Sequence, residues 1–99
     1  MHPANQDPGL MIMISLASGP KHGHAMMRDV EAFAGVHLGP GTLYGALSRL
    51  DDGGLVEPLA AQGRRRPYRL TPNGLATLRA RLQEMRQAVS IGLSRVAGA

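Results

Sequence analysis

From Leu75 to Val96, apolar or small residues return at steps of 3, 4, 3, 4, 3 and 4, through Leu78, Leu82, Met85, Val89 and Gly92. That spacing is the a/d seam of a helix that packs lengthwise on another helix, and it runs for about three heptads. A chain of 99 residues supplies one domain. A domain that small can cover only part of such a stripe, and a bare stripe invites association. Arg79, Arg81, Glu84 and Arg86 flank the seam and keep its rim polar. The expectation is one domain that pairs with a second copy of itself as a homodimer.

The rest of the chain divides at clear punctuation. Residues 1–7 read as an N-terminal tail whose last residue, Asp7, caps a helix with Pro8 in its first position. This helix runs to about Ala17 and is apolar nearly all round, so it belongs inside the assembly. Ser18-Gly19-Pro20-Lys21 breaks it. A second helix runs from about His22 to Ala34: Ala25, Met26, Val30 and Phe33 recur at helical spacing, Arg28, Asp29 and Glu31 face outward, and Gly35 ends it. Gly39-Pro40-Gly41 opens a third helix with Leu43, Ala46, Leu47 and Leu50 on its buried face. Gly53-Gly54 stops it. Two short strands, Leu55–Leu59 and Pro67–Leu70, flank a Gly-containing loop and read as a hairpin. Thr71-Pro72 then starts the seam helix.

Three helices followed by a hairpin is the winged helix-turn-helix arrangement. The fold class is therefore mainly α with a small β-hairpin. Residues 8–71 form the winged domain and 72–99 a C-terminal dimerisation helix. Leu10 and Ile14 of the first helix, with Leu75, Leu78, Leu82, Met85 and Val89 of the last, are the expected dimer residues.

Charge points to the partner. The net charge is +4 and the pI about 10.7, which favours a polyanion. Arg64, Arg65 and Arg66 repel one another at a hairpin tip unless phosphates draw near and release counterions. One strand earlier lies the third helix, whose outward residues include Thr42, Tyr44, Ser48 and Arg49. A recognition helix sets its N-terminal residues against base edges in the major groove. Gly41 and Thr42 stand at that end, where free N–H groups attract a phosphate. Lys21 and His22, before the second helix, complete the DNA-contact candidates. The expected partner is double-stranded DNA, and the expected setting is cytoplasmic. The rival reading is a winged helix that binds a protein through its last helix, and the arginine run argues against it.

Other chemistry finds no footing. The chain has no Cys, which removes disulfides and thiolate sites together. His22 and His24 point to different faces of a helix, and His2 and His37 are far away in sequence, so no metal is expected. Asp51 and Asp52 point apart on a helix and make no catalytic pair. The glycines form neither a GxGxxG nor a P-loop pattern. The expectation is no catalytic residue and no cofactor. The longest apolar run, Leu10 to Ile14 with Leu16, falls well short of the ~20 residues that a membrane span needs. Residues 1–20 hold no Lys or Arg, so a signal peptide's basic region is missing.

Gly19-Pro20-Lys21-His22-Gly23-His24, the run Pro40 to Leu50, Gly53-Gly54-Leu55-Val56 and Arg64 to Gly74 closely resemble the PadR family of transcriptional regulators, over roughly residues 8–90. The resemblance implies a winged-helix dimer that represses by occupying operator DNA, with the C-terminal helix packing on the partner's N-terminal helix. It also implies room for a small-molecule inducer of unidentified chemistry. Some small relatives hold flat aromatic drugs between tryptophans, and this chain has no Trp. Gly45 stands where the family commonly has Pro, which predicts a looser first turn in the reading helix.

Overall fold

Among the described residues, 7–99 of this computed structural model, four helices and three short strands follow in order. They are α1 (Pro8–Leu16), β1 (Lys21–His22), α2 (Gly23–Ala34), α3 (Pro40–Asp52), β2 (Val56–Pro58), β3 (Pro67–Leu70) and α4 (Pro72–Ala97). Asp7 caps α1 through its carboxylate, which accepts from the N–H of Gly9 at 2.9 Å and of Leu10 at 3.4 Å. It also pairs with Arg81 of α4 at 2.8 Å. Asp7, the last residue of the expected 1–7 tail, is part of the fold, and residues 1–6 of that tail lie outside the described residues.

An almost wholly apolar α1 has to be walled in, and it is. Leu10, Met11, Ile12, Met13 and Leu16 are buried among Met26 and Val30 of α2, Leu43, Ala46, Leu47 and Leu50 of α3, Val56 of β2 and Leu78 of α4. The cover comes from the chain itself. Leu10, at 0% exposure, spends its whole side chain inside the chain's own core. Ile14 keeps part of its surface.

The hairpin is part of a three-stranded antiparallel sheet in the order β1-β3-β2. Lys21 faces Tyr68 and His22 faces Pro67 across β1 and β3, while Val56, Glu57 and Pro58 face Leu70, Arg69 and Tyr68 across β2 and β3. The two-residue β1 falls in the stretch that reads as a break between helices. Two residues carry no alternation to see, and their partner lies more than forty positions away. β2 is shorter than the expected Leu55–Leu59, although Leu59 still donates to the Pro67 carbonyl at 2.8 Å.

α4 begins on a backbone anchor. Thr71 Oγ1 accepts from the N–H of Gly74 at 3.0 Å and donates to the Gly54 carbonyl at 2.6 Å. The Thr71 N–H donates to the Leu55 carbonyl at 3.1 Å. Gly74 lies so close to that carbonyl that a Cβ added to it would sit 1.9 Å from the Leu55 oxygen. This docking sets the rotation of α4 and divides its seam. Leu78 is buried at 2% exposure and Met85 packs partly on the core, whereas Leu75, Leu82 and Val89 remain 42%, 37% and 59% exposed. Leu78, like Leu10, is thereby occupied within its own chain.

Two glycines inside helices should respond in opposite ways to a methyl group. Gly74→Ala drives a Cβ into backbone that cannot yield, so we expect a loss of several kcal/mol, of the size of severe core damage. At Gly45 a Cβ would make only an ordinary 3.6 Å contact with Arg49, and Gly45→Ala should stabilise by about 0.5–1 kcal/mol. Urea unfolding of both variants checks this, and equal effects would contradict the close approach.

The Asp7–Arg81 pair predicts a pH signature. Burial pushes the Asp7 carboxyl up, but the hydrogen bond and charge of Arg81 and the N–H groups of Leu10 and Gly9 outweigh it and hold it below the ordinary value. A carboxyl lowered in the folded state stabilises above its unfolded value of about 3.9, and that stability is lost as pH falls through the folded value. The stability gap between the parent and Arg81→Met should therefore be constant from neutral pH to about 5 and narrow below about 4. Urea titrations across that range test it, and a gap that widens in acid would refute the pairing.

Candidate nucleic-acid interface

α3 turns its leucines into the core and leaves the opposite side bare. Leu43, Ala46, Leu47 and Leu50 are buried, while Gly41, Thr42, Tyr44, Ser48 and Arg49 are exposed. At 100° per residue Gly41, Gly45 and Ser48 lie along the outermost line, with Thr42 and Arg49 on one flank and Tyr44 on the other. Asp51 and Asp52 are also exposed, at the far end. Their charge disfavours phosphate there and leaves the stretch from Gly41 to Arg49 as the surface suited to a polyanion.

That N-terminal end is itself receptive. The cap residues of α1, α2 and α4 are Asp7, His22 and Thr71, and each accepts from a main-chain N–H. The cap of α3 is Gly39, which makes no side-chain hydrogen bond, and Pro40 follows it. The first-turn N–H groups of Gly41 and Thr42 thus point outward with the positive end of the helix dipole behind them. Gly45 sits within an unbroken helix, so the looser first turn expected from it is absent. A glycine costs helix stability without breaking a helix that is packed along its other face.

The wing carries the arginines. Gln62 and Arg65 exchange two main-chain hydrogen bonds, of 2.6 and 3.1 Å, around a two-residue turn. Gly63 takes the first central position with φ +63°, the place where a hairpin turn of the II′ kind selects glycine. Arg64 and Arg65 stand exposed at this tip. Arg66 donates to the Leu59 carbonyl at 3.0 Å and so braces the wing. At the base, Arg69 of β3 pairs with Glu57 of β2 at 2.5 Å. The wing springs from the end of α3, since the Leu55 N–H donates to the Leu50 carbonyl at 2.9 Å.

Two candidate residues prove to be tied into the frame. Lys21 Nζ donates to the Ser15 carbonyl and, at 2.6 Å, to Ser18 Oγ, closing the C-terminal turn of α1. Its charge suits that carbonyl, at the negative end of the helix. His22 Nδ1 accepts from the Ala25 N–H at 3.4 Å, capping α2. A sequence shows the charge of a lysine but not the carbonyls that will claim it. The contact that sequence reasoning missed is between Tyr44 and Gly23, the first residue of α2. Its only trace in the sequence is a glycine at a helix start where no turn requires one.

Among the described residues no group of three or more His, Cys, Asp or Glu could hold a metal ion. No helix there is long and apolar enough to cross a membrane.

Residues 12–80 match the family described as the transcriptional regulator PadR-like family. The chain is similar to the transcriptional regulator Rv3488 of Mycobacterium tuberculosis, with 38% identity over 95 residues, 90% of this chain and 88% of that protein. It is also 48% identical over 68 residues to an uncharacterized 37.1 kDa protein in a Streptomyces fradiae transposon; that stretch is 69% of this chain and only 20% of that protein. Among solved structures, a PadR family transcription regulator from Clostridium difficile shares the fold with a TM-score of 0.81 at 22% identity, over 90% of this chain and 97% of that one. A transcriptional regulator from Clostridium thermocellum gives 0.76 at 21% identity, over 88% and 87%. The three helices, the three-stranded sheet and the long last helix are the winged helix-turn-helix architecture that these structures share.

Proposed function

Because the chain belongs to the PadR-like family of transcriptional regulators, we propose that it is a sequence-specific repressor that binds a partly palindromic operator in duplex DNA as a homodimer. The family is one of regulators rather than enzymes. Its place of action is with the chromosome, in the cytoplasm. The observation that carries this reading is the polar outer face of α3, from an N-terminus without a side-chain cap through Thr42 and Ser48 to Arg49. A helix presenting that face can enter the major groove N-terminus first. Thr42, Ser48 and Arg49 have the donors and acceptors that base edges require. The N–H groups of Gly41 and Thr42 and the guanidinium groups of Arg64 and Arg65 fix the register on phosphates. Repression follows from occupying the site.

The dimer half of the proposal draws on Leu75, Leu82 and Val89, all exposed along one side of α4, with Leu93 and Val96 continuing the line. A second copy that covered this line would complete what the chain's own core leaves open. Two readers related by a two-fold axis reach successive major grooves about 34 Å apart, hence the palindrome.

Selection of bound sequences from random duplex DNA gives the operator, and two sets of variants then divide the roles. Arg64→Ala and Arg65→Ala should weaken all duplexes alike and flatten the slope of log K against log salt by about 0.9 for each lost phosphate contact. Arg66→Ala should change that slope less, its guanidinium being engaged with Leu59. Thr42→Ala or Arg49→Ala should cost about 1–3 kcal/mol on the selected site and little on random DNA. Unchanged binding in all of them would remove α3 and the wing from the interface.

The two edges of the α4 seam should separate on charge insertion. Leu82→Asp places its carboxylate on the open edge, so the chain should fold, sediment as a monomer and lose operator binding although residue 82 is distant from DNA. Leu78→Asp buries a charge in the chain's own core and should prevent folding. A Leu82→Asp protein that remains dimeric in sedimentation would rule out this face.

A further inference from the structure

Gly23 is a glycine without a backbone reason. The glycines that need positive φ are Gly19, Gly35, Gly54 and Gly63, and Gly23 is the ordinary first residue of α2. A glycine there weakens the helix start relative to other residues. What distinguishes the position is crowding. A Cβ on Gly23 would lie 2.4 Å from the hydroxyl oxygen of Tyr44, 2.9 Å from its Cζ and 3.1 Å from Leu43 Cδ2. Gly23 is buried, at the start of a helix, because Tyr44 and Leu43 of α3 roof it. Tyr44 is nevertheless 51% exposed. Its phenol therefore leans off α3 across the first turn of α2, with one side seated and the other open.

We infer that Gly23 is a positioning residue for DNA recognition: by lacking a Cβ it seats the Tyr44 phenol in one pose across the N-terminal ends of α2 and α3. This rests on the DNA-binding reading above. Tyr44 belongs to the outer face of α3, in the stretch from Gly41 to Arg49 that suits a polyanion. A tyrosine ordered before binding loses no rotamer freedom on docking, and its hydroxyl is held where a phosphate or a base edge can meet it. A Cβ at residue 23 would evict the phenol from that seat while leaving every other residue of the interface in place. The same Cβ also crowds Leu43 at 3.1 Å, and a second substitution at Tyr44 separates the part of the effect that passes through the phenol.

The experiment is a double-mutant cycle on duplex DNA carrying the sequence selected by the parent protein, read alongside thermal unfolding. Gly23→Ala should weaken binding roughly two- to tenfold, the penalty for ordering a released side chain. In a Tyr44→Leu background, Gly23→Ala should have no further effect. If Gly23→Ala weakens binding by the same factor in both backgrounds, the glycine acts by itself and the inference fails. It also fails if the parent binds its selected DNA and Gly23→Ala binds equally well. A parent that shows no selective binding to duplex DNA overturns the functional reading and this inference with it, and is told apart because it is measured first. Should Gly23→Ala alone not fold, recovery of a folded, thermally cooperative protein in Gly23→Ala/Tyr44→Leu supports the seating, and an unfolded double variant overturns it.

Discussion

A helix without a polar side cannot lie on a protein's surface, and α1 is such a helix. Everything else in the chain is arranged to enclose it: α2 and α3 on two sides, β3 and the first half of α4 on the others. Its buried hydroxyl, on Ser15, donates to Asp29 at 2.7 Å, which avoids the roughly 1–3 kcal/mol that an unpaired buried polar group costs. At its two ends the enclosure is polar. Asp7 and Arg81 close the N-terminus, and Lys21 closes the C-terminus. The second and third helices owe their disposition to this shared core, and the polar face of α3 is what remains once its leucines have been spent on α1.

The seam of α4 serves two masters with one repeat. Its residues recur with a single period, yet Leu78 and Met85 turn inward while Leu75, Leu82 and Val89 do not. The split follows from rotation about the helix axis. That rotation is set where Gly74 meets the Leu55 carbonyl, at a distance no other residue type would tolerate. Half of the stripe thus belongs to the chain's own core, and the other half stays exposed.

The sequence made the order of elements legible wherever the signal was local. Asp7-Pro8 and Thr71-Pro72 announce helix starts, and the spacing of Leu43, Leu47 and Leu50 names the buried side of α3 and so its outer one. What it concealed depended on distant partners. β1 exists because β3 comes back beside it. Leu10 and the first helix read as surplus apolar surface because a period shows that a helix must be covered, and not by what. Lys21 and Arg66 read as free charge, yet each has a main-chain carbonyl as its partner. The arginines at the wing tip and the hydroxyls of α3 were legible because exposure needs no partner.

The segment Gly53–Leu55 joins two helices at once. The Leu55 N–H holds the end of α3, its carbonyl holds the Thr71 N–H ahead of α4, and the Gly54 carbonyl holds the Thr71 hydroxyl. With three hydrogen bonds across so short a span, α3 and α4 cannot swing independently. α4 is a rod of 26 residues, about 39 Å long, rooted at the base of α3. Small changes in how that rod packs are passed to the other end as changes of aim. In the dimer proposed above, side chains along α4, far from any base, would therefore set the spacing between the two copies of α3 without any change in α3 itself.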